Sequence, residues 1–320
     1  MRFIAIVAAA LLVAPVVAQT FPSKPVRIFS TSPPGNSGDT VMRMIIPTLS
    51  AGFGQPILME NRTAASGTQA GLAVKNSDPD GHSLFYAASG TVVSAIFLFK
   101  NLPFDPVRDF TGITEVMNNP SLFAVSAALP VNSMKDFLDY ARRNPGKVAY
   151  GSTGVGTAFH MLGESFERDT GVRMLHVPYG QGSVAVPVTD LANDRIQLYW
   201  PSLTSLLPVL KTGKVKVLAI IDKVGLKAMP NVPTIYQDVP HYTLVKGFFG
   251  LYGPARMPRS IAVRVQTEIR RALVDPKMVA RLDELGIHGG GQSPEEFERM
   301  WHAAIENTGR IAKDLNLQPQ

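Results

Sequence analysis

Cysteine is absent from the 320 residues of the chain. Its absence excludes disulfide bonds, thiolate nucleophiles and metal sites built from cysteine. The chain also lacks any run of lysine and arginine, although its formal net charge is +6 and its pI is about 9.5. Because this positive charge is dispersed, it does not predict nucleic-acid binding, and at most it attracts anionic ligands weakly. With 45% apolar and 18% charged residues, the composition is typical of a folded globular protein.

Sequence motifs of the common enzyme classes are missing as well. The hydrolase motif Gly-x-Ser-x-Gly does not occur, and no glycine-rich loop ends in the Gly-Lys-Ser/Thr that a P-loop requires. A dinucleotide-binding fingerprint would need glycine three residues after Gly156, where Phe159 stands. His160 and Glu164 are spaced like metal ligands on a helix, but no HExxH pattern and no obvious third ligand accompany them. The sequence therefore predicts no catalytic residue, no metal site and no cofactor.

One long apolar run stands at the amino terminus. Arg2 is followed by an uncharged segment from Phe3 to Val17, and a small residue, Ala18, comes next. This order is typical of a secretory signal peptide, and we expect cleavage near Ala18. An uncleaved membrane anchor is the alternative, but a spanning helix needs roughly 20 apolar residues, and Pro15 interrupts this shorter stretch. We therefore predict that residues 1–18 are a signal peptide and that the rest of the chain enters the periplasm.

After the signal segment, short apolar runs alternate with segments of helical periodicity. This alternation predicts βαβ units with parallel sheets and therefore an α/β fold. The last third of the chain is mostly helical, and Ser293 with Glu296 forms a typical helix start there. The predicted strands are Val26–Ser30, Pro56–Met59, Ser83–Ala87, Leu122–Ser126, Val148–Gly151, Met174–Val177, Ile196–Tyr199 and Val215–Ile221. The predicted helices are Thr40–Ala51, Gly67–Lys75, Ser133–Arg143, Ala158–Asp169, a helix that starts at Gly180–Ser183 and ends near Asn193, Leu203–Lys211, Pro258–Val274, Pro276–Leu285 and Pro294–Leu315.

Two glycine-containing loops follow predicted strands and precede predicted helices. The first is Ser32–Asp39 and the second is Gly151–Thr157. Glycine lets the backbone approach a ligand closely, and the helix start beyond each loop offers unpaired N–H groups. Together these features predict an anion-binding position at each loop. Two ordinary strand-to-helix turns are the alternative interpretation.

Several short motifs of the chain occur, in the same order, in one known family. They are Phe21–Arg27, Pro33–Gly35 with Asp39 and Arg43, Glu60–Arg62, Pro79–Gly81, Leu102–Phe110, Pro145–Ser152, His176–Tyr179 and Asn231–Thr234. A single short motif would be weak evidence, but this set spans nearly all of the chain beyond the signal segment. The sequence thus resembles the periplasmic substrate-binding proteins of tripartite tricarboxylate transporters, called the TctC or Bug family.

The resemblance implies a Venus-flytrap fold of the type II-like class, in which two α/β lobes with parallel or mixed sheets are joined by crossing hinge strands. It places lobe 1 at residues 19–117 and 247–320, and lobe 2 at residues 118–246. It implies a monomeric receptor without catalytic activity that binds a small organic carboxylate between the lobes and delivers it to polytopic membrane transporter subunits. A ligand-sensing protein that docks on a sensor kinase is the alternative function.

The resemblance also implies which residues hold the ligand. In the family, carboxylate groups are bound by backbone N–H groups and water molecules on the two glycine loops, and a third loop follows the third strand. Carried onto this chain, the ligand-binding residues are Pro34, Gly35, Asn36, Ser37, Gly38, Asp39, Ser89, Thr91, Ser152, Gly154, Gly156 and Thr157.

This sequence departs from the family pattern at several positions. Asn36 and Ser37 stand where the family usually has glycines, and Gly180 stands where it usually has lysine. Trp200 follows a strand after which the family often has a small or acidic residue. As a further ligand-binding residue, Trp200 would wall the cleft and favour a flat or aromatic acid; packing inside lobe 2 is the alternative. These departures concern the identity of the ligand and not its class.

Overall fold

Two β-sheets organise the protein. It is described by a computed structural model for residues 21–64, 67–155, 157–180, 184–317 and 319, so the predicted signal segment and Gly156 lie outside the described residues. The strands in chain order are β1 (Val26–Ser30), β2 (Ile57–Asn61), β3 (Ser83–Ala88), β4 (Phe110–Asn118), β5 (Ser121–Ser126), β6 (Ala149–Ser152), β7 (Leu175–Pro178), β8 (Leu198–Tyr199), β9 (Val215–Ile221), β10 (Phe248–Pro254) and β11 (His288–Gly289).

Each sheet mixes parallel and antiparallel strands. The six-stranded sheet of lobe 1 has the order β11-β4-β10-β3-β1-β2, and the five-stranded sheet of lobe 2 has the order β7-β6-β8-β5-β9. In lobe 1, β1 pairs in parallel with β2 and β3, while β10 is antiparallel to β3 and β4. In lobe 2, β6 pairs in parallel with β7 and β8. The carboxyl ends of β6 and β8 therefore lie at the same edge of their sheet.

Helices cover both faces of each sheet. They are α1 (Ser37–Phe53), α2 (Thr68–Lys75), α3 (Ala95–Leu98), α4 (Pro106–Asp109), α5 (Met134–Arg143), α6 (Ala158–Thr170), α7 (Ala185–Ala192), α8 (Leu203–Leu210), α9 (Arg259–Leu273), α10 (Pro276–Leu285) and α11 (Pro294–Asp314). A turn of π-helix, Gly90–Ser94, precedes α3, and a short 3-10 turn occupies Ile235–Gln237.

Alternation of side chains along the strands builds two cores in each lobe. In β1, Ile28 packs towards α1 and α9, while its neighbour Phe29 packs towards α2 and α11. In lobe 2, Leu198 contributes to the core under α5 and α6, and Tyr199 to the core under α7 and α8. Successive residues of a strand point to opposite faces, so each buried strand contributes to both layers. This is the doubly covered α/β sheet that the alternating pattern predicts.

Two adjacent strands connect the lobes. The chain leaves the lobe 1 sheet at the end of β4 and returns to it at the start of β10, and these two strands pair with each other. Polar side chains inside β4 are satisfied by partners, since the buried Glu115 accepts hydrogen bonds from Lys246 and Gln292, both at 2.9 Å. At the lobe 2 end, Asn118 donates to Asp222 at 2.6 Å. The hinge is therefore a pair of hydrogen-bonded strands, and side-chain hydrogen bonds at Glu115 and Asn118 hold it to both lobes.

The two-lobed α/β fold expected from the sequence is confirmed. All eight predicted strands and all nine predicted helices are present, with ends that differ by one to three residues in most cases. The sequence analysis missed β4, β10, the two-residue strand β11 and the short helices α3 and α4. Helix α1 begins at Ser37 and not at Thr40, because the side chain of Asn36 caps it. In the described part of the chain, no helix has both the length and the apolar character needed to cross a membrane.

Trp301 offers a test of the lobe 1 core. It is 1% exposed, its indole N–H donates to the carbonyl oxygen of Val92 at 3.1 Å, and its ring packs on Tyr252 and Phe297. We expect Trp301→Ala to lower the free energy of unfolding by about 3–5 kcal/mol, because truncation leaves a cavity and an unpaired carbonyl. Urea denaturation followed by circular dichroism measures this. Glu306→Ala, on the exposed side of α11, is the control and should change it by less than about 0.5 kcal/mol; equal losses in both variants would contradict this packing.

Candidate functional site

A cavity of about 440 Å³ lies between the lobes. This volume is in the range of small-molecule sites. It lies at the carboxyl ends of parallel strands, where α/β proteins usually bind ligands. Its walls come from both sheets and from the hinge, and its lining residues are Gly35, Asn36, Ser37, Ala88, Ser89, Asn119, Ser121, Ala158, Phe159, Leu162, Val184, Pro201, Ser202, Thr204, Ser205, Val245, Gly247, Phe248 and Phe249.

The first glycine loop brings the amino terminus of α1 to this cavity. Gly35 has a φ of +81°, a conformation that other residues adopt only with strain. Asn36 caps the helix, because its side-chain oxygen accepts the backbone N–H of Asp39 at 3.0 Å and the hydroxyl of Ser32. Gly35, Asn36 and Ser37 line the cavity, whereas Pro34 is exposed outside it. The side chain of Asn36 therefore stabilises the start of α1, at a position where the family that the sequence resembles usually has glycine.

Asp39 stabilises the first loop from the side away from the cavity. Its side chain is 4% exposed and accepts hydrogen bonds from the backbone N–H of Gly35, from Arg43 and from Asn61, at 2.8–3.0 Å. Burial acts to raise the pKa of this carboxyl group, but the hydrogen bonds from Arg43, Gly35 and Asn61 outweigh it and leave the pKa below its usual value. Asp39 does not line the cavity, so the structure places this predicted ligand-binding residue in a supporting position.

Gly38 lets the first loop pack on an aromatic ring. A Cβ at this position would lie 2.7 Å from the Phe249 ring and 2.7 Å from the Ser32 hydroxyl. Phe249 lines the cavity, and its ring also packs on Tyr86 at 5.1 Å between centroids. The absence of a side chain at Gly38 therefore sets how closely the loop approaches one wall of the cavity.

The second glycine loop leads into α6. The hydroxyl of Ser152 accepts the N–H of Gly154 at 3.1 Å, and the hydroxyl of Thr157 donates to the carbonyl oxygen of Gly154 at 2.7 Å. Ser152 is completely buried, and neither Gly154 nor Thr157 is among the residues that line the cavity. The lining of this wall comes instead from the first turn of α6, through Ala158 and Phe159. Gly156, also predicted to bind the ligand, lies outside the described residues.

A third helix start, which the sequence analysis missed, also faces the cavity. Ser202 caps α8 by accepting the N–H of Ser205 at 3.4 Å, and its hydroxyl lies 3.0 Å from those of Thr204 and Ser205. All three residues line the cavity. The connection between β8 and α8 has no glycine, which is why it did not stand out. The available signal was Ser202 itself, a preferred capping residue directly before a predicted helix.

Trp200 and Thr91 do not reach the cavity. Trp200 is 0% exposed and packs edge-to-face on Phe123 and Tyr150, with centroids 5.9 and 5.3 Å apart. The structure thus places Trp200 inside lobe 2, because strand alternation directs its side chain into the core. Thr91 is buried in the π-helical turn, so only Ser89 of the predicted third loop lines the cavity.

The lining combines polar and apolar groups, and its described residues carry no formal charge. Among the described residues, no lysine, arginine, histidine, aspartate or glutamate lines the cavity. Its polar groups are hydroxyls, amides and the helix starts, and Asn119 of the hinge donates to the hydroxyl of Ser37 at 3.3 Å. Apolar walls come from Phe159 and Leu162 on lobe 2 and from Phe248 and Phe249 on β10. The cavity is therefore suited to a small ligand with acceptor groups and an apolar body.

Comparison with known proteins shows which family the chain resembles over most of its length. Residues 41–317 match the family described as "Tripartite tricarboxylate transporter family receptor". The UPF0065 protein in the tcbD-tcbE intergenic region of Pseudomonas sp. (strain P51) is 29% identical over 299 residues, which cover 93% of this chain and 88% of that protein.

Two solved structures are also similar over nearly their whole length. One, described as a periplasmic transporter, is 31% identical with a TM-score of 0.77, covering 93% of this chain and 99% of that one. The other, R. palustris Rpa4515 with adipate, is 28% identical with a TM-score of 0.79, covering 94% of this chain and 100% of that one.

The supporting role of Asp39 predicts a pH-dependent contribution to stability. Because its folded-state pKa lies below the unfolded value of about 3.9, this contribution is fully present above about pH 4 and is lost as the pH falls through the folded-state pKa. Asp39→Asn should therefore be less stable than the parent at pH 7, by about 1.5–3 kcal/mol, and the difference should shrink below about pH 4. Urea denaturation between pH 2.5 and pH 7 measures this. Asp139→Asn, whose side chain is half exposed, is the control; a pH-independent difference for Asp39→Asn would contradict the supporting role.

Proposed function

The chain belongs to the tripartite tricarboxylate transporter receptor family, and we propose that it captures a small organic carboxylate in the cavity between its lobes. In this proposal the loaded receptor delivers the acid to polytopic membrane transporter subunits. The observation that carries it is that three helix amino termini, those of α1, α6 and α8, face one cavity whose described lining has no charged side chain.

Helix amino termini are suited to hold a carboxylate. Each carries roughly half a positive elementary charge on unpaired N–H groups. A carboxylate that accepts hydrogen bonds from these groups is neutralised by dipoles, without any lysine or arginine. We place it against Gly35–Ser37 on lobe 1 and against Ala158 on lobe 2. The hydroxyls of Ser202 and Thr204 are then available to further polar groups of the acid.

The apolar walls define the rest of the ligand. The rings of Phe159 on one lobe and Phe249 on the other face the same cavity, so we propose that the carbon skeleton of the acid lies between them. These rings, and not Trp200, are the aromatic contacts of the cleft. An amino acid is disfavoured, because its ammonium group would find no carboxylate among the described lining residues. Adipate, bound by a similar protein, has the expected combination of carboxylates and an apolar chain.

The hinge is the element that lets the site open and close. We propose that residues 19–117 with 247–320, and residues 118–246, move as two lobes about the β4–β10 ribbon, and that the protein acts as a monomer. Closure on a ligand would bring the α1 side of the cavity onto the α6 and α8 side. Because Asn119 of the hinge donates to Ser37 of the first loop, the hinge and one wall of the site are directly linked.

A carboxylate introduced at position 158 tests the ligand site. Native mass spectrometry first identifies the acid that the purified protein retains, and calorimetric titration then measures its affinity, with adipate as an alternative probe. Ala158→Asp should weaken binding at least a hundredfold. Two carboxylates about 4 Å apart repel by ~4 kcal/mol at an effective dielectric constant of ~20, and about 2.7 kcal/mol is a hundredfold change.

Ala158→Asn is the matched control, since it has the same size without the charge and should lose much less affinity. An acidic residue in the first turn favours the helix, so Ala158→Asp should fold. If both variants bind the acid like the parent, the ligand does not lie at the start of α6, and the proposed site is wrong.

Export places the protein where such a receptor works. We propose that the segment from Arg2 to Val17 directs the chain to the periplasm and that cleavage occurs near Ala18. Amino-terminal sequencing of the periplasmic protein should begin at Gln19 or within two or three residues of it. Recovery of the intact Met1 in the membrane fraction would contradict this prediction.

A further inference from the structure

A stack of three rings lies behind the second glycine loop. The imidazole of His176 on β7 lies between Tyr150 of β6, at 4.9 Å, and His160 of α6, at 4.2 Å between ring centroids. The interplanar angles are 21° and 22°, so the rings are nearly parallel. None of the three lines the cavity. This ring stack is therefore a group of titratable side chains beside the site that the ligand does not touch.

His176 is bonded to the loop through one hydroxyl group. Its Nε2 lies 2.6 Å from the Oγ of Ser152, and that same Oγ accepts the N–H of Gly154 at 3.1 Å. The hydroxyl proton of Ser152 can point to His176 or to the carbonyl oxygen of Gly154, which is 3.1 Å away. The shorter distance favours His176, with Nε2 as the acceptor. In that arrangement a lone pair of Ser152 stays directed at the N–H of Gly154.

The connection continues to the cavity wall. Gly154 has a φ of +129°, a conformation that must be held in place by its surroundings. Its carbonyl oxygen accepts both the hydroxyl of Thr157, at 2.7 Å, and the N–H of Thr157, at 3.3 Å. Thr157 is the residue before α6, whose first residue, Ala158, lines the cavity. A chain of hydrogen bonds thus runs from His176 through Ser152 and Gly154 to the start of α6.

We propose that His176 is a positioning residue for the ligand site: as a hydrogen-bond acceptor it orients the Ser152 hydroxyl, which fixes Gly154 and thereby the first turn of α6. The proposal rests on the carboxylate site described above. A catalytic role for the Ser152–His176 pair is not supported, because Ser152 is 0% exposed and does not reach the cavity. The Ser152 hydroxyl and the His176 ring are as close as a serine nucleophile and its general base would be, but a substrate could not reach the buried hydroxyl.

The surroundings keep His176 neutral, as an accepting Nε2 requires. Burial, and next the neighbouring His160, lower the pKa of His176 to about 4, against an opposing effect of Glu164. The charged groups that interact with the three rings are Glu164 and Glu167 of α6. Arg173, before β7, interacts with Glu167. Glu164 is tied to Tyr150 by a 2.9 Å hydrogen bond and lies 3.4 Å from His160. A protonated Nε2 would donate to the Ser152 oxygen, so the hydroxyl proton would have to turn from His176 to the carbonyl oxygen of Gly154.

Residue-resolved amide hydrogen exchange by NMR tests the proposal without a ligand. In His176→Leu, which cannot accept a hydrogen bond, we expect the amides of Gly154 and Thr157 to exchange at least tenfold faster than in the parent. His176→Gln retains an acceptor and should stay within about threefold. Ser152→Ala should reproduce the effect of His176→Leu by removing the next member of the chain. His82→Leu, a substitution of a buried histidine in lobe 1, is the control for general destabilisation.

Adipate titration supplies the functional readout. His176→Leu and Ser152→Ala should bind adipate about tenfold more weakly than the parent, and His176→Gln should bind it nearly as well. Unchanged loop exchange in His176→Leu, or equal effects of leucine and glutamine, would each overturn the proposal. If adipate binds neither parent nor variants, the proposed ligand class fails for this acid, and the exchange measurements still decide the role of His176.

Discussion

Backbone N–H groups at the start of a helix have no partner inside the helix, and in this protein three such starts face one cavity. The arrangement of the strands in both sheets positions these three helix starts. Parallel pairing of β6 and β8 brings α6 and α8 to one edge of the lobe 2 sheet, and β1 delivers α1 from the opposite lobe. Asn36 and Ser202 each satisfy one N–H group with a side-chain oxygen, and the remaining groups favour an anion in the space between them.

Several residues that the sequence analysis predicted to bind the ligand do not line the cavity and instead stabilise the loops and core around it. Asp39 ties the first loop to Arg43 and Asn61, Ser152 braces the second loop, and Trp200 fills the lobe 2 core. The lining itself comes from small hydroxyl residues, backbone and phenylalanine rings, which are common residues without a distinctive pattern. A site built from neutral donors leaves little signal in composition, because the geometry that makes it selective belongs to the backbone.

Sequence patterns predicted the secondary structure well where a continuous apolar run or a helix-capping motif marked the element. Apolar runs such as Val215–Ile221 and the capped helix at Ser293 were found almost to the residue. Strand β4 was missed because buried polar residues, including Thr114 and Glu115, interrupt its apolar pattern, and their partners come from distant parts of the chain. The sequence analysis also did not predict that Asn119 and Phe249 line the cavity, for a related reason. Both belong to the hinge, which exists only once the two lobes are assembled.

The hinge ribbon also constrains the order in which the chain can fold. Strand β10 lies between β3 and β4 in the lobe 1 sheet, yet it follows them by more than a hundred residues in sequence. Until β10 is available, β3 and β4 have no common neighbour, and the first hundred residues carry open sheet edges. All five strands of lobe 2, in contrast, lie in one continuous segment. During synthesis from the amino terminus, lobe 2 can therefore be complete first, and lobe 1 must wait for the last third of the chain.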